Sequence, residues 1–172
     1  RASDLSVMPW IITSQTIPIL ALAPMIIVVL SSMGFSGLLP KAVISMYLSF
    51  FPVVVGMVKG LRSPEILEID QMKTWSASKT QILFKLRLPK SVPYLFTSLK
   101  LGMAASLVGA IVGELPSGAI SGLGARMLAG SYYGQTIQIW SALFSAAILA
   151  ASLVSIIGFF QRLVINRMML LK

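Results

Sequence analysis

Few side chains in this sequence could carry out chemistry. It contains no cysteine, no histidine and only five carboxylates among 172 residues. Thiol nucleophiles, disulfides and the commonest general base and metal ligand are therefore absent. The sequence also lacks the phosphate-binding pattern Gly-x-x-x-x-Gly-Lys-[Ser/Thr], so ATP is not expected to bind in that way. We predict no enzymatic activity, no catalytic residue, no metal site and no cofactor.

Two ionisable side chains lie where membrane segments are predicted, and each could serve transport. Lys100 lies eight residues inside a predicted span, about 12 Å along the helix, where it could snorkel to the interface or face protein. Glu114 is the only acid beside a predicted span, which makes it a functional-site candidate. The alternative is a hydrated acid at the outer interface, or one paired with Arg126. Pro18 and Pro24 could line a path, because irregular backbone is tolerated beside a cavity, or could only shape packing.

Hydropathy and charge place these residues in a membrane protein. Hydrophobic residues make up 56% of the chain and charged residues 11%, against about 25% charged in soluble domains. No charge occurs between Asp4 and Lys41 or between Arg126 and Arg162, and each gap exceeds the roughly 20 apolar residues of a membrane span. We predict an all-α, polytopic transmembrane helix bundle that forms a single domain over residues 1–172. The predicted spans are Pro9–Met33, Ala42–Val58, Val92–Val112 and Thr136–Phe160.

Small residues recur at every fourth position in two of these spans. They are Ala105, Gly109 and Gly113 in one span and Ala142, Ala146 and Ala150 in the other. Small residues at this spacing let helix backbones approach closely in lipid. The alternative is the ordinary composition of an alanine-rich helix.

Basic residues are distributed unequally between the two sides of the predicted bundle. The loop of residues 59–90, the start of the chain and its tail carry eleven, whereas the other side carries only Lys41 and Arg126. By the positive-inside rule, both chain ends and the 59–90 loop are cytoplasmic, and the 114–135 loop is extracytoplasmic. The membrane location also explains the net charge of +9, so nucleic acid is not an expected partner.

The 59–90 loop is predicted to contain two short helices joined by a tight corner. Ser63 is the expected N-cap of a helix over Pro64–Trp75. Ser78 fits a capping box with the glutamine three residues later. This box opens a second helix, Lys79–Leu88, which is expected to stop at the proline that follows. The apolar residues of both helices need a surface to bury against, and either the membrane surface or a protein partner could supply it.

The stretch Asp70–Ser78, followed by Leu88-Pro89 and Pro93, resembles the cytoplasmic signature loop of binding-protein-dependent ABC transporter permeases. That pattern has Glu-Ala-Ala, three residues, Gly-Ala, and then a hydrophobic helix that ends in Leu-Pro. The spacing agrees, and four positions differ: Asp70 for glutamate, Gln71-Met72 for Ala-Ala, and Ser76 for glycine. Because a positive φ costs serine more than glycine, a capped serine turn is expected at Ser76.

Further stretches look like the nitrate/sulfonate/taurine branch of this family, over roughly residues 10–165. They are Ser14-Gln15-Thr16-Ile17-Pro18, Ala21-Leu22-Ala23-Pro24, Phe50-Phe51-Pro52, Gly60-Leu61-Arg62-Ser63, Val112-Gly113-Glu114 and Gly122-Leu123-Gly124. In that branch about two more helices precede this region. The resemblance therefore implies a carboxy-terminal part of a protein with about six spans, consistent with a chain that begins at Arg1.

The resemblance implies the permease subunit of an importer in the bacterial inner membrane. Its partners would be an ATP-binding cassette ATPase subunit, a second permease copy in a homodimer, an extracytoplasmic substrate-binding protein and membrane lipid. The first loop helix would be the coupling helix that docks on the ATPase. The implied ATPase-coupling residues are Asp70, Met72, Trp75, Ser76, Ala77, Leu88 and Pro89.

The substrate implied by this branch is a small anion such as nitrate, an alkanesulfonate or taurine, or else a vitamin precursor. A secondary transporter or channel subunit is the alternative function. Such a protein would use intramembrane acids or inverted repeats, whereas here only Lys100 is charged within a predicted span and no repeat is visible. A membrane-embedded enzyme is disfavoured by the lack of histidine and cysteine.

Overall fold

The computed structural model describes residues 9, 13, 17–116, 119 and 121–170. Within these residues all regular secondary structure is helical, which confirms the all-α prediction. The helices are α1 (Ile19–Ser32), α2 (Leu38–Leu61), α3 (Ile66–Thr74), α4 (Lys79–Ile82), a π segment (Leu83–Arg87), α5 (Leu88–Glu114), α6 (Leu123–Tyr132) and α7 (Thr136–Leu170). Outside the described residues lie residues 1–8, residues 10–12 and 14–16 of the first predicted span, three residues of the 114–135 loop and the last two of the chain.

Among the described residues, three helices are long and apolar enough to cross a membrane. They are α2, the continuous 36-residue helix Lys79–Glu114, and the 33-residue stretch Thr136–Met168 of α7. Each contains one predicted span, so these three predictions are confirmed as apolar helices. The helix α7 continues beyond Phe160 to Leu170, because the residues predicted as a tail include no glycine or proline that would end it.

The predicted first span, Pro9–Met33, is not one uninterrupted helix. The chain bends at Ile17, Pro18 is extended with φ −65° and ψ 122°, and α1 begins at Ile19. A residue before proline is disfavoured in helical conformation, which explains the break. The 14 residues of α1 rise about 21 Å, less than the roughly 30 Å of a bilayer core.

The loop helices start and stop at other residues than those predicted. Ser63 is not the cap of α3, because its hydroxyl donates to the carbonyl of Gly60 at 2.8 Å and so serves the end of α2; the N-cap of α3 is Glu65. The second loop helix does not stop at Pro89 but continues into α5. The π segment just before Pro89 shifts the hydrogen-bond register to i+5, so the proline enters where the ordinary i+4 ladder is already broken.

The helices belong to two compact units, formed from Arg1–Phe51 with Gly102–Leu153 and from Pro52–Leu101 with Val154–Lys172. Glycines bring α2 and α5 together in the first unit. A Cβ on Gly109 would lie 2.8 Å from the Cα of Ser45, and one on Gly113 would lie 3.3 Å from the side chain of Ile44. Ile44 is fully buried there. The backbones therefore approach closely, as the small-residue spacing of this span predicts.

Glycines on α2 make the corresponding contact in the second unit. A Cβ on Gly56 would overlap the side chain of Ser98, and one on Gly60 would lie 2.9 Å from the Cβ of Ser91. Ser91 and Ser98 are buried, and each hydroxyl donates to a carbonyl of its own helix. The Gly-x-x-x-Gly spacing of residues 56 and 60 carried this signal, which the sequence reasoning missed.

Candidate functional site

The helix α3 starts at a defined N-cap and is tied to the membrane-spanning helix. The backbone N–H of Glu65 donates to the side chain of Glu68 at 3.0 Å, and an acid in the first turn favours the positive end of the helix dipole. Glu68 also forms an ion pair with Lys90 of α5. The start of α3 is thus connected to the base of the spanning helix by a charged contact.

A Schellman motif ends α3 at the predicted corner. The N–H of Ala77 donates to the carbonyl of Met72 at 3.0 Å, and the N–H of Ser76 donates to that of Lys73 at 2.8 Å. Ser76 has a positive φ of 56°, the left-handed conformation that glycine usually supplies at this position of the motif. The serine therefore takes up the glycine geometry of the family pattern at a conformational cost of about 1 kcal/mol.

The predicted capping box at Ser78 is confirmed. The N–H of Ser78 donates to the side chain of Gln81 at 2.8 Å, and the N–H of Gln81 donates to the Ser78 hydroxyl at 3.3 Å. The corner between α3 and α4 is therefore fixed by hydrogen bonds on both sides. Leu88 and Pro89, the last predicted coupling residues, are half-buried and follow the π segment at the start of α5.

The two faces of α3 have different surroundings. Ile66 and Leu67 are 79% and 77% exposed, and Asp70 lies on the same outward face, where it forms an ion pair with Lys73 at 2.7 Å. Trp75 at the end of the helix is also exposed. Met72 lies on the opposite, half-buried face. This placement favours Ile66 and Leu67 over Met72 as apolar contacts to a partner, and neither Ile66 nor Leu67 was among the predicted site residues.

Lys100 lies within the predicted span and packs against α7. The Lys100 Nζ is 3.6 Å from the position that a Cβ on Gly158 would occupy, and the side chain is half-buried. Because glycine has no side chain, position 158 leaves room for the ammonium group of Lys100. Within the described residues Lys100 takes part in no ion pair. Of the two interpretations left open by the sequence, this geometry favours a lysine that faces protein.

Glu114 at the end of α5 holds the start of α6. Its Oε2 accepts from the backbone N–H of Gly124 at 2.7 Å and of Ala125 at 3.4 Å, so the carboxylate caps the N-terminus of α6 from another helix. Its Oε1 lies 3.8 Å from the Nζ of Lys41. Lys41 is therefore the cationic partner of Glu114 in the described contacts. The sequence suggested Arg126 instead, but Arg126 is exposed and no ion pair between it and Glu114 is found among the described residues.

The first helix lines a small pocket, but its prolines do not. Pro24 lies inside α1, and Pro18 immediately precedes the helix. The pocket, of about 170 Å³, lies beside Lys41 and is lined from α1 by Ile27 and Ser31. Pro18 and Pro24 are not among its lining residues, and their role in a translocation path stays a prediction.

These features define a class: a polytopic α-helical membrane protein with a structured, partly apolar loop between two spans. The model of one family, described as the inner membrane component of binding-protein-dependent transport systems, matches residues 1–170. The chain belongs to this family. Its members are transport permeases and not enzymes themselves.

Several curated permeases are similar to this chain. The formylaminopyrimidine transport permease protein of Halalkalibacterium halodurans is 32% identical over 90% of the chain and 58% of its own length. The riboflavin transport system permease protein of Chloroflexus aurantiacus is 30% identical over 92% and 57%. The nitrate import permease protein of a Synechocystis strain is 25% identical over 88% and 53%. The chain thus spans somewhat more than half the length of these relatives.

Proposed function

We propose that this chain forms part of the translocation path of an ABC importer and that α3 couples the path to an ATPase on a separate subunit. Family membership supports the transport role. The coupling role is supported by one observation above all, which is that two large apolar residues, Ile66 and Leu67, are more than three-quarters exposed on a helix fixed at both ends. Exposed apolar side chains on a rigid element are typical of a docking surface.

The connections of α3 suit the transfer of movement from such a partner. The Schellman motif and the capping box fix the angle between α3 and the helix that follows, and the pair Glu68–Lys90 adds a second connection. Beyond the corner, one helix of 36 residues continues to Glu114. Displacement of α3 by a partner would therefore move a helix that crosses the bilayer.

The proposed arrangement is a multi-pass protein of the bacterial inner membrane with both ends of this chain and the 59–90 loop in the cytoplasm. The 114–135 loop is then extracytoplasmic, with Lys100 and Glu114 as candidate residues of the path. The proposed partners are the ATPase subunit, a second permease copy in a homodimer and an extracytoplasmic binding protein. We propose a small anion, a sulfonate or a vitamin precursor as substrate, in keeping with relatives named for formylaminopyrimidine, riboflavin and nitrate transport.

Pull-down of the ATPase subunit by full-length permease tests the coupling role. Trp75→Ala should weaken binding by about 2–4 kcal/mol if the exposed indole fills a cleft on the partner. Asp70→Lys reverses the charge on the outward face, and Ala77→Trp places a bulky group at the corner, so both should also reduce capture. Phe84→Ala is the matched control, because Phe84 is an exposed aromatic residue in the π segment outside α3. Normal capture and transport by all three variants, each correctly inserted, would overturn the proposal.

A further inference from the structure

The Lys41 pocket, a cavity of about 170 Å³, is lined by α1, by the turn that follows it and by the start of α2. Its polar lining consists of Ser31, Ser36 and Lys41, and Ile27 and Pro40 add apolar contacts. All five residues belong to the first compact unit. Among the described residues that line the pocket, none is acidic. The lining therefore carries one positive charge and is rich in hydrogen-bond donors.

The ammonium group of Lys41 is held in place but lacks hydrogen-bond acceptors. A Cβ on Gly113 of α5 would lie 3.5 Å from the Cα of Lys41 and 3.6 Å from its Cγ, so the stem of the lysine packs on α5. The side chain is 23% exposed, and its one contact among the described residues is with Glu114 at 3.8 Å. A charge-assisted hydrogen bond is shorter, about 2.7–2.9 Å. A half-buried ammonium needs acceptors, and the described residues offer none within this distance.

Two further donors face the same shortage. The hydroxyl groups of Ser31 and Ser36 form no hydrogen bond within the described part of the chain. Glu114 is held towards α6, because its Oε2 accepts from the N–H groups of Gly124 and Ala125. Three side chains thus bring donors without described acceptors to one cavity. A negatively charged group with several oxygen acceptors would satisfy all three.

The volume of the Lys41 pocket limits the size of such a ligand. A water molecule takes up about 30 Å³ in the liquid, so the pocket of about 170 Å³ has room for about five groups of that size. Sites for drug-sized molecules are larger, about 300–1,000 Å³. A flavin-sized vitamin therefore does not fit, whereas nitrate or a short alkanesulfonate does.

We propose that the Lys41 pocket binds a small oxyanion of the size of nitrate or a short alkanesulfonate. Lys41 is the counter-ion, Ser31 and Ser36 donate hydrogen bonds, and Ile27 and Pro40 contact the apolar part of a sulfonate. The proposal rests on the proposed function for one point, which is that the bound anion is the transported substrate. It then selects the small anion from the three substrate classes considered above. Anion binding itself does not depend on ATPase docking.

The test measures anion binding to the full-length permease alone, in detergent. The probes are nitrate and methanesulfonate, and apparent affinities come from the rise in Tm with probe concentration at constant ionic strength. The wild type should bind both probes more tightly than chloride. Lys41→Gln should weaken nitrate binding about tenfold or more, because a charged hydrogen bond is lost. Ser31→Ala with Ser36→Ala should also weaken it about tenfold. This double variant keeps the pair of Lys41 with Glu114, so it decides the question if Lys41→Gln does not fold.

The matched control is Arg126→Gln. It removes one positive charge from the same predicted side of the membrane, but Arg126 is exposed and does not line the pocket. Equal loss of binding in this control, or equal binding of chloride by the wild type, would show general attraction of anions and would overturn the site. Absence of nitrate and methanesulfonate binding to the wild type would also overturn it, because the donors of Lys41 would then be satisfied by water or by another part of the full-length protein.

Uptake by the complete importer tests whether the bound anion is the substrate. Nitrate or methanesulfonate uptake should fall in Lys41→Gln and stay normal in Arg126→Gln. Normal uptake by a Lys41→Gln variant that has lost binding would overturn the pocket as part of the path. The coupling role of α3 fails by a different result, namely normal ATPase capture and transport by the α3 and corner variants, so the two failures are distinguishable.

Discussion

Replacement of Glu114 by alanine should release the start of α6 from the end of α5. The carboxylate accepts from the N–H of Gly124 at 2.7 Å and lies 3.8 Å from the ammonium of Lys41. Its side chain is only 16% exposed and that of Lys41 is 23% exposed. Alanine would leave the first N–H groups of α6 without this acceptor and the half-buried lysine without this carboxylate.

The size of the effect follows from these contacts. A hydrogen bond to a charged acceptor contributes about 1.5–3 kcal/mol, while the longer contact with Ala125 at 3.4 Å adds little. The pair with Lys41, long and partly exposed, adds about 0.2–1 kcal/mol. The sum of about 2–4 kcal/mol corresponds to a fall in Tm of about 5–15 °C for a chain of this size. Glutamine keeps an oxygen acceptor for Gly124, so Glu114→Gln should cost about 1 kcal/mol.

Thermal unfolding of the full-length protein in detergent measures the difference in stability between the wild type and each variant. Asp70→Asn is the control, because Asp70 is an exposed acid whose only described ion pair, with Lys73, lies at the surface and should contribute less than about 1 kcal/mol. Unfolding of Glu114→Ala at the wild-type temperature would show that the carboxylate does not hold the start of α6. Substrate uptake distinguishes a carboxylate that only holds α6 in place from one that takes part in the translocation path. If Glu114 only holds α6, the glutamine variant keeps its uptake, whereas altered uptake in a stable, assembled variant assigns Glu114 to the path.

Three further predictions follow from the backbone and the charge distribution. Gly56→Val should destabilise the protein by about 1–3 kcal/mol, because the side chain of Ser98 occupies the space; an unchanged Tm would contradict this contact. Ser76→Gly should raise the stability by about 1 kcal/mol, since it removes the strain of a positive φ; a fall in Tm would contradict it. In intact cells, cysteine at Thr74 should resist impermeant thiol reagents and cysteine at Ser121 should react; the reverse pattern would refute the orientation.

The membrane helices could be located from sequence because long apolar runs and small-residue spacing are local properties. The residues at which these helices begin and end could not be predicted in the same way. Pro89 is a stop signal when it is considered alone, but the π segment before it lets the helix continue. Likewise, Ser63 has the composition of an N-cap, yet its hydroxyl bonds back to the carbonyl of Gly60. Such choices between two neighbouring backbone partners depend on geometry that residue type does not encode.

The contacts of the candidate site were only partly predictable. The capping box of Ser78 with Gln81 is a matter of spacing within one turn and was predicted correctly. The acceptor role of Glu114 joins residues that are ten apart in sequence, and Lys41 lies on a different helix altogether. The inward direction of Met72 depends on how α3 lies against its neighbours, so the outward face could be identified only in the structure.

Site-specific photocrosslinking from α3 is the most direct test of the coupling role. A photoreactive amino acid would replace Leu67 on the outward face or, as the control, Ile69 on the half-buried face of the same helix, in full-length permease expressed with its ATPase subunit. If α3 docks on the ATPase, position 67 should give a covalent adduct with it and position 69 should give much less. Adducts of position 67 with phospholipid alone, in cells that contain the assembled importer, would contradict it and identify α3 as an interfacial membrane helix.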